Sequence, residues 1–342
     1  MKNKLLATIA AFGLVGSASA IEINDNLSIN GFIDGSYQYS DGDLSTTTNS
    51  PGTNLPVPNA GTATAPDSVK DQALGVDEVE LNFITNVGDV DGVINLDSHD
   101  GLGGVEVEQA HITYSMDSGV SFTLGKYGSA LGFEREDPTS LYTFSRAYGG
   151  TDIAGADQLF NLGDVDRNVV EGLTVAYSND IFSIGASFEN ALNTDAEEDD
   201  LNLEVALSYT GIENVSIGLG YYFDNQANTN LEIDILNVHA SALLGKLLVA
   251  VEYTELNRGG NNSDLDGYMF LADYDITDKL GVAIRVSGNE QDNGGVGEDY
   301  DKLTIAPNYA ITESLGAIVE YSDIDEGNAD NNLFAVELLY TF

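Results

Sequence analysis

The 342-residue chain contains no cysteine, so disulfides and cysteine-based metal sites are excluded. Basic residues are also scarce: 12 Lys and Arg stand against 56 Asp and Glu, which gives a formal net charge of −44. Such a charge repels phosphate chains and attracts cations, so nucleic acid is excluded as a partner. The alternative explanation is that the acidity only keeps exposed loops solvated or reflects a salty habitat.

Beyond its first residues, the chain lacks an apolar run long enough for a membrane-spanning helix, which needs about 20 residues. A later apolar stretch, residues 240–251, is interrupted by Gly245 and Lys246. At the start, two lysines precede an apolar run and a small-residue stretch that ends at Ala20. This pattern predicts a signal peptide over residues 1–20, cleaved after Ala20, and export of a single domain over residues 21–342.

What the chain has in abundance is strict alternation of apolar and polar residues. In residues 27–39, Ile29 and Ile33 share one face, whereas Asn30 and Asp34 share the other. A period of two is typical of strands with unlike faces. The alternation recurs to the last residue, and counting the runs predicts about 16 strands, an even number as in bacterial barrels.

Short turns alternate with longer polar loops along the chain. The predicted loops span residues 40–75, 100–104, 128–167, 191–200, 225–231, 258–265, 290–299 and 324–331. Short turns on one side and long loops on the other are typical of outer-membrane barrels, whereas the loops of a soluble sandwich have no reason to alternate in length. The sequence therefore predicts an all-β fold, a transmembrane antiparallel up-and-down β-barrel in the bacterial outer membrane. Its turns are periplasmic, its long loops extracellular, and its apolar rows face lipid.

Two segments resemble known outer-membrane proteins. The last strand, LFAVELLYTF, alternates and stops at Phe342, which resembles the C-terminal insertion signal that the barrel-assembly machinery reads. Residues 105–134, VEVEQAHITYSMDSGVSFTLGKYGSALGFE, resemble the strand, turn, strand and Gly-Lys passage of the OmpL-like beta-barrel porin family. The resemblance is specific over residues 105–178 and architectural elsewhere. It implies a porin-like protein of the bacterial outer membrane.

A barrel of about 16 strands leaves room for a water-filled lumen, so we expect a porin for passive diffusion of small hydrophilic solutes. Loop 128–167 is far longer than its neighbours, and the loop at this ordinal position in general porins folds into the barrel. That similarity implies a constriction formed by Glu134, Glu136, Asp137, Asp152 and Asp157 facing Arg135, Arg146 and Arg167. The open alternative is a surface loop whose charges are merely solvated.

Strand parity predicts which ionisable side chains face the lumen, because a charge facing lipid near the midplane costs about 2–4 kcal/mol. The predicted lumen set is Asp34, Glu80, His111, Glu204, His239, Glu252, Asp273, Arg285, Glu320 and Glu337. This set is mostly acidic and carboxylates favour cations, so we predict cation preference. The similarity to general porins in strand count and loop order also implies a homotrimer. The competing function is a plugged structural or adhesive surface barrel that binds partners through its long loops.

Catalysis and a dedicated cofactor are not expected. His111 with Ser115 and Ser121 suggests a lipase, but parity points His111 into the lumen, whereas a phospholipid-cleaving site must open to lipid. Weak Ca²⁺ binding by acidic loops is the remaining cofactor expectation, because carboxylates are hard oxygen ligands. The clusters concerned are Asp41 with Asp43, residues 197–200, and Asp323, Asp325 and Glu326. None has the spacing of an EF-hand, so the alternative is solvated loop charge.

Overall fold

The computed structural model describes residues 20–42, 69–99, 104–134, 137–148, 161–162, 165–166, 169–190, 201–224, 233–258, 264–292, 300–326 and 329–342. The first strands are β1 (Ile21–Asn24), β2 (Leu27–Gly42), β3 (Val69–Val87), β4 (Val90–His99), β5 (Glu106–Ser115), β6 (Val120–Gly128), β7 (Asn161–Leu162) and β8 (Val165–Asp166). They are followed by β9 (Val169–Ser178), β10 (Phe182–Glu189), β11 (Asn202–Ile212), β12 (Val215–Phe223), β13 (Ile233–Leu244), β14 (Leu247–Arg258), β15 (Asp264–Asp275), β16 (Leu280–Asp292), β17 (Tyr300–Ala310), β18 (Leu315–Glu326) and β19 (Ala329–Thr341). A 3-10 turn, Pro138–Ser140, lies between β6 and β7.

Sixteen of these strands, β2–β6 and β9–β19, form one closed antiparallel barrel. Each pairs with its neighbour in the chain, β6 pairs with β9, and β19 closes the barrel on β2. The short strand β1 pairs with the beginning of β2, whereas β19 pairs with β2 from Phe32 onward, so β1 continues the line of β19. The predicted all-β barrel of about 16 strands is therefore confirmed. Closure leaves no unpaired edge among the barrel strands.

Seven tight connections of two to four residues join the sixteen barrel strands on the side where the chain begins and ends. Three of them have only two residues, and each contains a residue in the left-handed region: Gly88 at φ 68°, Asn214 at φ 62° and Gly245 at φ 69°. Two-residue hairpin turns need such a residue because their twist must match that of the strands. The predicted set of short turns is confirmed.

Four predicted loops, 40–75, 258–265, 290–299 and 324–331, are shorter than the alternation indicated, and the first and last show why. β3 already begins at Val69, whereas we predicted a loop up to residue 75. A β-bulge at Asp77 shifts the alternation of apolar and polar residues between Val76 and Val79. The first half of the strand is therefore not recognisable from the sequence pattern. The predicted loop 324–331 is largely strand, since β18 runs to Glu326 and β19 starts at Ala329. Polar residues at the end of a barrel strand reach beyond the lipid, so they do not end the strand.

Side chains alternate between the outer surface and the interior. On β16, Ile284 is 42% exposed and Val286 43%, whereas Arg285 between them is fully buried. Tyrosines near the turn end of the strands also lie on the outer surface, as the exposed Tyr114, Tyr274 and Tyr340 show. This arrangement presents apolar rows to lipid and polar rows to the lumen. Among the described residues, no helix is long and apolar enough to cross a membrane.

Candidate functional site: the infolded segment and the barrel lumen

The chain that leaves β6 turns into the barrel instead of remaining outside. We call residues 129–148 the infolded segment, of which residues 129–134 and 137–148 are described. Inward-facing side chains of six strands bind it, namely those of β11, β13, β14, β16, β17 and β18. The segment therefore lies in the lumen against one side of the barrel wall.

The first anchor lies on β11. The Glu204 carboxylate accepts a hydrogen bond from the Ser129 hydroxyl at 2.7 Å and another from the Ala130 amide at 2.8 Å. Hydrogen bonds to an ionised acceptor are stronger than neutral ones. Glu204 therefore fixes the point at which the chain enters the lumen.

A second anchor joins β13 and β14. Glu252 accepts from the Phe133 amide at 2.7 Å and from the Tyr148 hydroxyl at 3.2 Å, so it binds both ends of the segment. Asn237 supports this arrangement by donating to Glu252 at 2.8 Å and accepting from the Gly132 amide at 3.3 Å. Burial raises the pKa of the Tyr148 hydroxyl well above its ordinary value, and the negative charge of Glu252 raises it further. The hydroxyl therefore remains a donor in alkaline solution.

Arg285 of β16 is the third anchor. Its guanidinium forms an ion pair with Glu134 at 2.7 Å, and the two side chains are 0% and 8% exposed. The same group donates to the carbonyl oxygens of Ser145 at 2.7 Å and Arg146 at 2.5 Å. A guanidinium is suited to this position because its planar fork carries several fixed donors. Arg285 thus connects the outgoing and returning halves of the segment.

A fourth anchor lies on β17 and β18. Glu320 is fully buried and accepts from the Ser145 amide at 3.0 Å and from the Ser145 hydroxyl. Ser322 donates to the same carboxylate at 2.7 Å. Lys302 donates to the carbonyl oxygen of Arg146 at 3.1 Å and to the Ser145 hydroxyl. A lysine and a glutamate thus meet at Ser145, which keeps both buried charges close to opposite charge.

The wall under the segment is not uniformly polar. Two apolar clusters involve the segment: one around Leu131 and Tyr148, the other around Tyr142 and Phe144. The wall residues in these clusters include Tyr222, Ile235, Leu256, Met269, Leu271, Ala283, Ala306, Ile318 and Ala335. Gly220 makes room for this packing, since a β-carbon there would lie 2.1 Å from Leu131 Cδ2. Hydrophobic burial therefore adds to the polar anchors.

The wall formed by β2–β5 and β19 is rich in carboxylates. The register between β2 and β3 passes from Asp34 opposite Glu78 to Gly35 opposite Val76, so Asp77 is an extra residue in a bulge. Gln38, which faces the interior, donates to Asp77 at 3.5 Å, so both Asp77 and Glu78 lie on the lumen side. The buried carboxylates of this wall are Asp34, Glu80, Asp97, Glu108 and Glu337. The lumen is thus electrostatically asymmetric.

The structure assembles part of the predicted constriction with other partners. Glu134 pairs with Arg285 of the wall, whereas Asp137 lies beside Glu78 and Glu80 of β3. Arg146 contributes its carbonyl oxygen to the anchors on β16 and β17. The remaining predicted loop residues, Arg135, Glu136, Asp152, Asp157 and Arg167, lie outside the described residues.

The predicted lumen residues all lie on the inner face of their strands. Those that are buried are Asp34, Glu80, Glu204, Glu252, Asp273, Arg285, Glu320 and Glu337. His111 and His239 are half-buried: the His111 ring lies edge-on to Tyr127, and His239 Nδ1 is 3.0 Å from Asn237 Oδ1. Of the acidic loop clusters, Asp323 and Asp325 are exposed at the end of β18, while Asp43 and residues 197–200 lie outside the described residues.

Sequence reasoning missed several residues of the site. Lys302 shares the inward parity of Thr304 and could have been found on that signal. Ser145 and Asn237 carry no charge, and nothing in the sequence distinguishes them from other polar residues. Asp77 escaped notice because the bulge breaks the alternation on which the parity argument depends.

The family profile of the Gram-negative porins matches residues 6–329. The chain belongs to the Gram-negative porin family. The porin resemblance of the sequence is thereby confirmed, and the family places this porin in the outer membrane as a channel for small solutes. Family and fold point to a channel and not to an enzyme. No curated protein sequence matches the porin significantly.

Solved structures of outer-membrane proteins share the fold of this porin. OmpF of Salmonella typhi in complex with daunomycin has a TM-score of 0.65 at 15% identity, covering 94% of this chain and 100% of that chain. The channel DcaP of Acinetobacter baumannii has a TM-score of 0.64 at 14% identity, covering 95% and 100%. The loop L8 deletion mutant of OmpT of Vibrio cholerae has a TM-score of 0.63 at 16% identity, covering 92% and 99%. Identities this low support the fold alone.

Proposed function

We propose that this porin is a cation-preferring diffusion pore that is narrowed by the infolded segment. The observation that carries the proposal is the course of the segment. Its anchors reach β11 to β18 on one side, while Asp137 approaches β3 on the other. A segment in contact with both sides of the lumen leaves only the remaining cross-section for passage. Small hydrophilic solutes are the class that such a polar, narrowed path admits.

The charge distribution supports the cation preference. Arg285 and Lys302 are held against Glu134, Glu320 and carbonyl oxygens of the segment, so their charges are compensated locally. The wall of β2–β5 and β19 carries an excess of carboxylates. Carboxylates along a narrow path attract cations and repel anions. The net field along the path is therefore expected to be negative.

Single-channel recording of the refolded porin in a planar bilayer under a KCl gradient tests both parts of the proposal. We expect stepwise conductance with a reversal potential of cation-selective sign. The double variant Asp97→Asn/Glu108→Gln, which changes two carboxylates of the wall formed by β2–β5 and β19, should move the reversal potential towards zero. The matched control Asp117→Asn/Glu213→Gln removes the same charges from exposed periplasmic turns and should leave it unchanged. An anion-selective reversal potential in the unchanged porin would contradict the proposal.

The plugged surface barrel is supported by one specific observation. Arg285 and Glu320 are fully buried, so the wall of the lumen is sealed from water where the segment covers it. If the whole cross-section were sealed, a correctly folded barrel would give no conductance steps. The gel mobility of the protein before and after heating shows whether the barrel is folded. A folded barrel that gives no conductance steps in the bilayer would favour the surface-binding function over the pore.

The proposed assembly rests on a similar solved structure, and the proposed processing rests on the signal-peptide pattern of residues 1–20. OmpT of Vibrio cholerae has been solved in a trimer form, and we extend this state to the present porin. Light scattering of the detergent-solubilised protein should give the mass of a trimer, and a monomer mass would contradict it. Cleavage after Ala20 should appear in the intact mass of the exported protein.

A further inference from the structure

Three carboxylates meet where the infolded segment approaches β3. Glu78 and Glu80 belong to β3 and Asp137 to the segment, and one carboxylate oxygen of each lies within 4.8 Å of the other two. Glu80 is only 4% exposed. One of its oxygens accepts from Asn82, but Oε2 is buried and has no hydrogen-bond partner in the part of the chain that the structure describes. A buried carboxylate oxygen without a donor is costly unless a proton or a cation compensates it.

We propose that Glu78, Glu80 and Asp137 bind a divalent cation, with Ca²⁺ as the preferred ion. Ca²⁺ is bound by carboxylate oxygens at about 2.3–2.6 Å, so ligands on opposite sides of the ion are roughly 5 Å apart. The spacing of the three oxygens fits within that distance. Mg²⁺ is smaller, demands near-ideal octahedral geometry and is usually bound through one or two carboxylates, fewer than the three that meet here.

The neighbourhood strengthens the argument for a cation. Glu80 lies directly opposite Asp97 in the register of β3 and β4, and Asp97 is also buried. Like charges on directly opposed residues repel each other. A divalent ion at Oε2 of Glu80 reduces this repulsion and at the same time supplies the missing partner.

The bound ion has a structural consequence. The polar anchors described above fix the infolded segment to β11, β13, β14 and β16–β18, whereas Asp137 brings it to β3. An ion shared by Asp137, Glu78 and Glu80 connects the segment to the opposite wall. The site is separate from the acidic loop clusters, and its existence does not depend on ion selectivity.

Isothermal titration calorimetry with CaCl₂ on the chelator-treated, refolded protein tests the proposal. At about 150 mM KCl, which screens weak attraction to exposed acids, we expect saturable binding with Kd on the order of 10⁻⁴–10⁻³ M, the range of extracellular calcium modules. Glu80→Gln and Asp137→Asn should each weaken binding roughly tenfold or more, as expected for the loss of one charged ligand. The control Asp117→Asn/Glu213→Gln should bind like the unchanged protein. A change in gel mobility on heating shows whether each variant has folded into a barrel.

Hydrogen–deuterium exchange locates the ion. Ca²⁺ should slow exchange in the peptide that contains Asp137, and Glu80→Gln should abolish this protection even though Glu80 lies on a different element. Saturable heat that persists in the Glu80→Gln/Asp137→Asn double variant would overturn the proposal. Protection confined to the end of β18 near Asp323 and Asp325 would overturn it too, as would the absence of saturable heat at millimolar Ca²⁺.

Discussion

Replacement of Arg285 by alanine should release the infolded segment without unfolding the barrel. The guanidinium is fully buried and holds Glu134 together with the carbonyl oxygens of Ser145 and Arg146. Removing one partner of a buried ion pair costs about 3–5 kcal/mol, because the other charge remains buried and unpaired. Since about 1.4 kcal/mol corresponds to a tenfold change, the equilibrium between docked and released segment should shift by roughly a hundredfold to a few thousandfold. The barrel keeps its backbone ladder, because Arg285 contributes to it only through its main chain.

Single-channel conductance is the assay for this prediction. A released segment should raise the mean conductance and add current noise as it enters and leaves the docked position. Arg285→Lys should have a smaller effect, since it keeps the charge but loses the planar fork. The double variant Glu134→Gln/Arg285→Leu should lose less than the sum of the single changes, because neither charge is then left unpaired. Unchanged conductance and noise in a folded Arg285→Ala barrel would refute the assignment of Arg285 as an anchor.

Three further predictions follow from local contacts. Docking of the segment should weaken as pH rises above about 10, the pKa of a free tyrosine. The pKa of Tyr148 is raised in the docked form, so docking is favoured only while the hydroxyl is protonated. Tyr148→Phe should reduce this pH dependence of the conductance and remove the hydrogen bond to Glu252, whereas the buried Tyr142, whose pKa is also raised by burial, keeps part of it. Gly31→Ala should lower the refolding yield, since a β-carbon at Gly31 would lie 2.2 Å from a backbone carbonyl oxygen of β3, whereas Gly75→Ala meets no atom within 4 Å and should refold normally. Deletion of Phe342 should slow barrel formation in cells, because its backbone pairs with Gly31 through two 3.1 Å hydrogen bonds that close the barrel. The folded fraction after a pulse of synthesis measures this effect.

The barrel could be predicted from the sequence because each of its strands obeys the same local rule. Alternation of apolar and polar residues needs no knowledge of distant contacts, and the tight turns carry their own signals at Gly88 and Gly245. The rule failed where a bulge shifts the parity, at Asp77, and where polar strand ends extend beyond the lipid, as β18 does near Asp325. Both failures concern the length of strands, so the strand count and the topology were unaffected.

The site could be predicted only in part, because it depends on contacts between distant residues. Parity correctly placed Arg285 and Glu320 on the inner face, since parity is a local property. It could not show that Arg285 pairs with Glu134, 151 positions away in the chain. Nor could it show that Ser145 binds Glu320, because an uncharged serine carries no distinguishing pattern. The choice of partners depends on the path of the infolded segment, which sequence periodicity does not encode.

The barrel and the infolded segment are stabilised by different interactions, and this separation makes the lumen adjustable. The backbone ladder holds the sixteen strands whatever side chains face inward. The wall holds the segment through side chains, such as those of Glu204, Glu252, Arg285 and Glu320, and the apolar residues around Leu131 pack against it. Changes of inward-facing side chains can therefore alter the course of the segment at little cost to the barrel. The same reasoning predicts that pore properties and barrel stability respond to different sets of substitutions.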